Sequence, residues 1–128
     1  MSSNKYKVLV VQGLHEQGLE MLKQRSDIEF NVLLSDDENE ILEAAKDVNG
    51  ITVRTAQITE KIINSSKNLQ VISRHGVGYD SINLKSLNNK KIPLTIAAHS
   101  NMISVSEQAM FFLLALNKNV FYYDDFTR

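Results

Sequence analysis

Short runs of aliphatic, β-branched residues recur along the chain, each followed by a turn and then by a helix-length segment with a one-sided apolar pattern. Residues 6–11 contain Val8-Leu9-Val10-Val11 and stop at Gln12-Gly13, which predicts a buried first strand. Residues 15–25 place Leu19, Met21 and Leu22 within a first helix, and residues 28–34 read as a second strand. Ser35-Asp36-Asp37-Glu38 has the form of a capping box, with acids where the helix dipole favours them. Ile41, Leu42 and Ala45 supply the buried stripe of the helix that follows. Residues 50–53 predict a third strand, ending at Arg54-Thr55, and Thr59 is placed to cap a helix carrying Ile62 and Ile63. Residues 69–73 predict a fourth strand. Residues 83–90 predict a short polar helix with Leu84 and Leu87 inward. Residues 93–97 predict a fifth strand, with Pro93 at its start, where a missing N–H matters least. Ser104-Val105-Ser106-Glu107 reads as a second capping box. It opens a long helix whose residues 109–116 are apolar almost all round.

Strands alternating with helices at this spacing imply an α/β fold with a parallel sheet. Handedness rules favour a doubly wound, flavodoxin-like order. Residues 1–103 would form this domain, and residues 104–128 a helix standing apart from it. In such sheets ligands bind beyond the carboxyl ends of the strands. The loops gathered there are Gln12-Gly13, Arg54-Thr55, His75-Gly76-Val77-Gly78 and His99-Ser100-Asn101. Together they offer a guanidinium, imidazoles, hydroxyls, a carboxamide and free amides, a set suited to a small carboxylate- or phosphate-bearing anion. Gly76-Val77-Gly78 invites reading as a dinucleotide fingerprint, but no third glycine stands near Ser81. It reads instead as a substrate loop, whose glycines let backbone approach a ligand.

Each of these residues also has a plainer reading. Arg54 fits a surface ion pair as well as an anion ligand, and His75 fits a support for its own loop as well as a site residue. His99 reads as structural or solvent-facing, His15 as surface, and Asn101 as either a turn former or a site residue. Asp80 reads as a cap for residues 83–90 or an orienter of the glycine loop.

Composition narrows the choice of function. The 128 residues are 43% apolar and 23% charged, as in a soluble globular domain with a sizeable core. A formal net charge of −1 argues against a nucleic-acid partner. The absence of cysteine removes disulfides and thiolate metal sites. The acids at 36–40 fit a solvated helix start better than a metal site. No signal-peptide core follows the N-terminus, and the apolar stretch 109–116 is too short to cross a bilayer. The expected location is cytoplasmic, with no membrane partner.

Other users of this fold lack their key residues here. A phosphorelay receiver needs an acidic pair after the first strand and an aspartate after the third, where Gln12-Gly13 and Arg54 stand. A flavin-binding flavodoxin needs a Ser/Thr-rich phosphate loop where Gly13-Leu14-His15-Glu16 stands. Neither a Gly-Lys-Ser/Thr loop nor a Gly-x-Ser-x-Gly elbow is present.

Three motifs in order carry a resemblance: Ile51-Thr52-Val53-Arg54-Thr55, the stretch Leu69-Gln70-Val71-Ile72-Ser73-Arg74-His75-Gly76-Val77-Gly78-Tyr79-Asp80, and Asn101-Met102-Ile103-Ser104-Val105-Ser106-Glu107. From about Val8 onward the chain resembles the D-isomer-specific 2-hydroxyacid dehydrogenases, most nearly the D-3-phosphoglycerate dehydrogenase branch. The resemblance implies an oxidoreductase in which a flavodoxin-like substrate domain is followed by a Rossmann domain that holds NAD. It implies that Val77 and Gly78 bind the substrate carboxylate through their backbone, with His75 and Gly76 in the same loop. Arg54 and Thr55 would contact the substrate, Arg54 as the candidate for a phosphate, and Asn101 would lie near the hinge. The partner so implied is a small 2-hydroxy or 2-oxo acid, with a phosphate on it favoured by the branch, which also implies serine biosynthesis. The helix over 104–121 would join a homodimer interface. The family's cofactor fingerprint and its catalytic arginine, acid and histidine have no counterpart in these residues. The chain is therefore expected to be the substrate-binding portion of such an enzyme, truncated, and inactive alone. A different class of reading remains, a stand-alone module that binds a small anion or dimerises without catalysis.

Overall fold

The structure is a computed structural model that describes residues 5–128; residues 1–4, on which the signal-peptide expectation falls, lie outside the described residues. The elements follow in order as β1 (Tyr6–Val11), α1 (Glu16–Lys23), β2 (Ile28–Leu33), α2 (Glu38–Ala44), β3 (Gly50–Val53), α3 (Glu60–Ser65), β4 (Val71–Arg74), α4 (Leu84–Lys90), β5 (Leu94–Ile96), α5 (Met102–Asn117) and α6 (Val120–Thr127). All five strands are parallel, in the order β2-β1-β3-β4-β5, the flavodoxin-like arrangement the strand–helix alternation implies. The chain separates into two compact units, residues 1–97 and 98–128.

In the first unit one face of the sheet carries the core. Leu9, Val11, Ile51, Val53 and Ile72 alternate along β1, β3 and β4 and meet Ile41 and Ala45 beside α2, Ile62 and Ile63 of α3, and Leu87 of α4. Every one of these side chains is buried. Burial at this level is worth about 1.5–3 kcal/mol per large aliphatic side chain. The other face holds Val8, Gly50, Thr52, Val71 and Ser73, which with α1 line a groove of about 430 Å³. Polar Thr52 and Ser73 explain why this face is less buried than its counterpart.

Helix starts are set by local polar chemistry, and two differ from the sequence reading. Asp37, not Ser35, caps α2, accepting from the amides of Asn39 and Glu40 at 2.9 and 3.0 Å, while Ser35 Oγ accepts from Asp37 N. Asn83, not Asp80, caps α4, accepting from Ser86 N at 3.0 Å. Thr59 does occupy the cap position of α3, but its hydroxyl donates to Glu38 rather than to its own helix. His15 caps α1 through Nδ1 and is exposed. Leu84 is 40% exposed, so it is not the inward residue its spacing predicts. Leu87 alone anchors α4 from its own apolar positions.

The second unit also departs from the expected single helix beginning at Ser104. Helix α5 starts two residues earlier, with Asn101 at its cap position. Ser104 therefore lies inside the helix rather than capping it, and Ser106 Oγ donates back to Met102 O. The helix ends at Asn117, and Asn119 takes a left-handed conformation (φ 49°) before α6. Asparagine tolerates that conformation better than most residues. Of the large apolar side chains on α5, Phe111, Phe112, Leu113, Leu114 and Leu116 are each at least 51% exposed, whereas Ala115 is buried.

Candidate functional site

Strands β1, β3 and β4 lie side by side and in register, with Val11 beside Val53 and Val53 beside Arg74. Their carboxyl ends therefore deliver Gln12, Arg54 and His75 to neighbouring places on one edge. The turn after β4 is tied at several points. His75 N donates to Val53 O at 2.8 Å, Gly76 N to Arg74 O at 2.9 Å, and Ala97 N, just beyond β5, donates to Gly76 O at 3.0 Å. Further along, Ile82 forms a parallel bridge with Ile58, and Ile58 N donates to Ser81 O. The loop is thus held between the β3 and β5 sides.

Gly76 has φ +149°, a backbone conformation open to glycine and strained for other residues. The Arg74 guanidinium folds back over it and donates to the His75 carbonyl oxygen, so a Cβ at Gly76 would also strike Arg74. Arg74 Nε is buried with no hydrogen-bond partner among the described residues. Gly78 differs, having no positive φ and room for a Cβ, which would meet only Asp80 Oδ2 at 3.6 Å. Of the two glycines expected to share one role, only the first is demanded by the backbone. Beyond it, the amides of Val77 and Gly78 have no hydrogen-bond partner among the described residues and sit on an exposed turn. Two consecutive unpaired N–H groups on a braced turn are a donor pair for an anion.

Arg54 is exposed and makes no ion pair among the described residues. The surface ion pair that its position allowed is not formed. Thr55 is exposed and its hydroxyl is engaged with the Gln12 carboxamide. Arg54, Thr55, His75, Gly76, Val77 and Gly78 thus come together on one edge of the first unit. Asn101 and His99 belong to the second unit, where Asn101 stands at the cap position of α5 without a side-chain capping bond. The groove beside α1 lies on the open sheet face and includes none of the six edge residues. Among the described residues no three His, Cys, Asp or Glu side chains are grouped to hold a metal ion, and no helix is long and apolar enough to cross a membrane.

Residues 8–123 match the family model described as D-isomer specific 2-hydroxyacid dehydrogenase, catalytic domain. The chain belongs to the D-isomer-specific 2-hydroxyacid dehydrogenase family. Among its relatives, the D-3-phosphoglycerate dehydrogenase of Methanocaldococcus jannaschii is 33% identical over 115 residues, covering 89% of this chain and 22% of that protein. The enzyme of the same name from Escherichia coli is 32% identical over 123 residues, covering 94% of this chain and 30% of its own length. The crystal structure of the PH0520 protein from Pyrococcus horikoshii OT3 superimposes with a TM-score of 0.83 at 28% identity, covering 97% of this chain and 37% of that one. The chain therefore spans between 22% and 37% of the length of these dehydrogenase-family proteins and the PH0520 protein.

Gln12 and Arg74 are the edge residues whose roles the sequence leaves unread. Gln12 sits in a turn that looks like a simple strand end, and Arg74 looks like the last residue of a strand. The available signal was their position, since each immediately precedes a glycine-containing turn at a carboxyl edge.

Proposed function

We propose that this chain is the substrate-binding portion of an NAD-dependent D-2-hydroxyacid dehydrogenase of the D-3-phosphoglycerate dehydrogenase kind, oxidising a secondary alcohol beside a carboxylate to a 2-oxo acid. The carrying observation is the pair of unpartnered amides at Val77 and Gly78 on a turn fixed by Gly76, with the unpaired Arg54 on the adjoining strand end. The amides suit a substrate carboxylate, and the guanidinium suits a second anionic group, such as a phosphate, bidentately. His75 and Gly76 shape the same loop, Thr55 continues the Arg54 turn, and Asn101 lies on the hinge side by family resemblance.

The described residues do not themselves fit the dinucleotide. The turn after β4 lacks a third glycine, and α4 begins only at Leu84, so no helix start faces the glycine loop closely enough to receive a pyrophosphate. NAD is accordingly assigned to a Rossmann domain outside these 128 residues, in keeping with the share of the relatives' length that the chain spans. The proposed division places the substrate domain at residues 1–103 and a connecting and dimerising segment at 104–128, a stretch made of most of α5 followed by α6. A cytoplasmic location and a place in serine biosynthesis complete the reading.

The exposed apolar side chains of α5 support a homodimer, because a patch containing two phenylalanines and three leucines is unusual on a lone surface. Analytical ultracentrifugation should show a dimer at micromolar concentration, and a clean monomer would count against it. For the site, calorimetry with 3-phospho-D-glycerate and D-glycerate should show tighter binding of the phosphorylated acid. Arg54→Ala should erase that preference, a loss of about tenfold or more. Equal affinity of the wild type for both acids would remove the phosphate assignment. NADH oxidation by the 128-residue chain with phosphohydroxypyruvate would contradict the view that catalysis needs more than these residues.

A further inference from the structure

The geometry points to Gln12 as the positioning residue for Arg54, a role that rests on the anion-site reading of that arginine. Gln12 has φ +67° and is followed by Gly13 at φ +76°. A left-handed non-glycine residue persists only where its surroundings over-determine it. Here they do, from two sides. The Gln12 backbone N–H donates to Leu33 O at the end of β2 at 2.7 Å. Its side chain crosses the other way, to the end of β3, where Oε1 accepts from the amides of Thr55 at 2.7 Å and Ala56 at 2.8 Å. Nε2 donates to Thr55 Oγ1 at 3.0 Å.

One carboxamide therefore closes the turn that follows Arg54. On the other side of Arg54, the Val53 carbonyl oxygen accepts from His75 N. Arg54 stands between two pinned peptide groups, while its own guanidinium has no carboxylate partner among the described residues. The backbone is fixed and the charged end is free, the combination that lowers the ordering cost of binding an anion. A neutral carboxamide also suits the place better than a carboxylate. Glutamate offers the same acceptors but would put a negative charge beside Arg54, where it would compete with the ligand.

Two variants separate these contributions. Gln12→Met keeps the length of the side chain and removes the acceptor, while Gln12→Glu keeps the acceptor and adds charge. Amide hydrogen exchange at Thr55 and Ala56 reads the clamp directly, and calorimetry with 3-phospho-D-glycerate reads its consequence. In Gln12→Met, exchange at both amides should rise about tenfold and affinity should fall about tenfold. In Gln12→Glu, exchange should stay within about twofold of wild type while affinity still falls. Unchanged exchange in Gln12→Met would overturn the clamp, and faster exchange with wild-type affinity would overturn its positioning role. A wild-type chain that ignores 3-phospho-D-glycerate would remove the anion-site reading instead, and the positioning role with it, whatever the exchange rates showed about the clamp.

Discussion

The two glycines of the β4 turn should respond oppositely to the same substitution. At Gly76 an alanine meets φ +149° and the Arg74 guanidinium. Strain of this kind costs about 1–3 kcal/mol. In a unit of this size each kcal/mol lowers the melting temperature by about 4–8 °C, so Gly76→Ala should melt roughly 4–24 °C below wild type. At Gly78 the new methyl group meets only Asp80 Oδ2 at 3.6 Å, with no positive φ. There alanine reduces the freedom of the unfolded chain, so Gly78→Ala should be neutral or gain about 0.4–1 kcal/mol. Thermal unfolding followed by far-ultraviolet circular dichroism compares the two directly. Repeating Gly76→Ala with Arg74→Ala separates the sources of the cost. The guanidinium is the movable end of a long side chain, so most of the loss should survive its removal. Equal melting temperatures for Gly76→Ala and Gly78→Ala would refute the argument that only one glycine is conformationally required.

Ile72 is fully buried at the centre of the sheet's covered face, so Ile72→Ala should lose about 2–5 kcal/mol in urea unfolding. Asn83→Ala should lose about 1 kcal/mol with the α4 cap, whereas Asp80→Ala should leave stability nearly unchanged, because Asp80 caps nothing. Lys7 donates to Asp47, which also accepts from Asn68, and these bonds hold the Asp47 carboxyl below the ordinary carboxylate range. A depressed carboxyl stabilises the fold above its unfolded pKa and loses that contribution as pH falls through the folded value. Asp47→Asn should therefore flatten the acid side of a plot of urea midpoint against pH. High salt should weaken the same limb in the wild type, since the pair is exposed.

What could be seen in the sequence was what depends on near neighbours. The periodicity of Ile41, Ala45, Ile62 and Ile63 placed helices on the core face, because side-chain direction repeats within a few residues. The alternation of strands and helices then gave the sheet order through general handedness rules. Failures came where several local solutions compete. Ser35 and Asp37 both offer a capping oxygen, as do Asp80 and Asn83, and the choice depends on where the helix dihedrals begin. Spacing made Leu84 an apolar-face candidate, but a seven-residue helix with one buried leucine has little core to share. The break at Asn119 has no proline to announce it. The Gln12 clamp spans 43 residues to Thr55 and 44 to Ala56, so it exists only once β1 and β3 lie side by side. The edge that gathers Arg54 with the glycine loop was foreseeable for the opposite reason, since any parallel sheet brings its carboxyl-end loops together.

In the proposed site the free amides of Val77 and Gly78 receive the carboxylate of a 2-hydroxy acid. Nitrogen–proton correlation spectra of the ¹⁵N-labelled chain, titrated with 3-phospho-D-glycerate, test it most directly. Saturable downfield shifts of the Val77 and Gly78 amides are expected, with accompanying changes at the Arg54 side chain. Saturable shifts confined to the groove beside α1, or none at millimolar ligand, would contradict it.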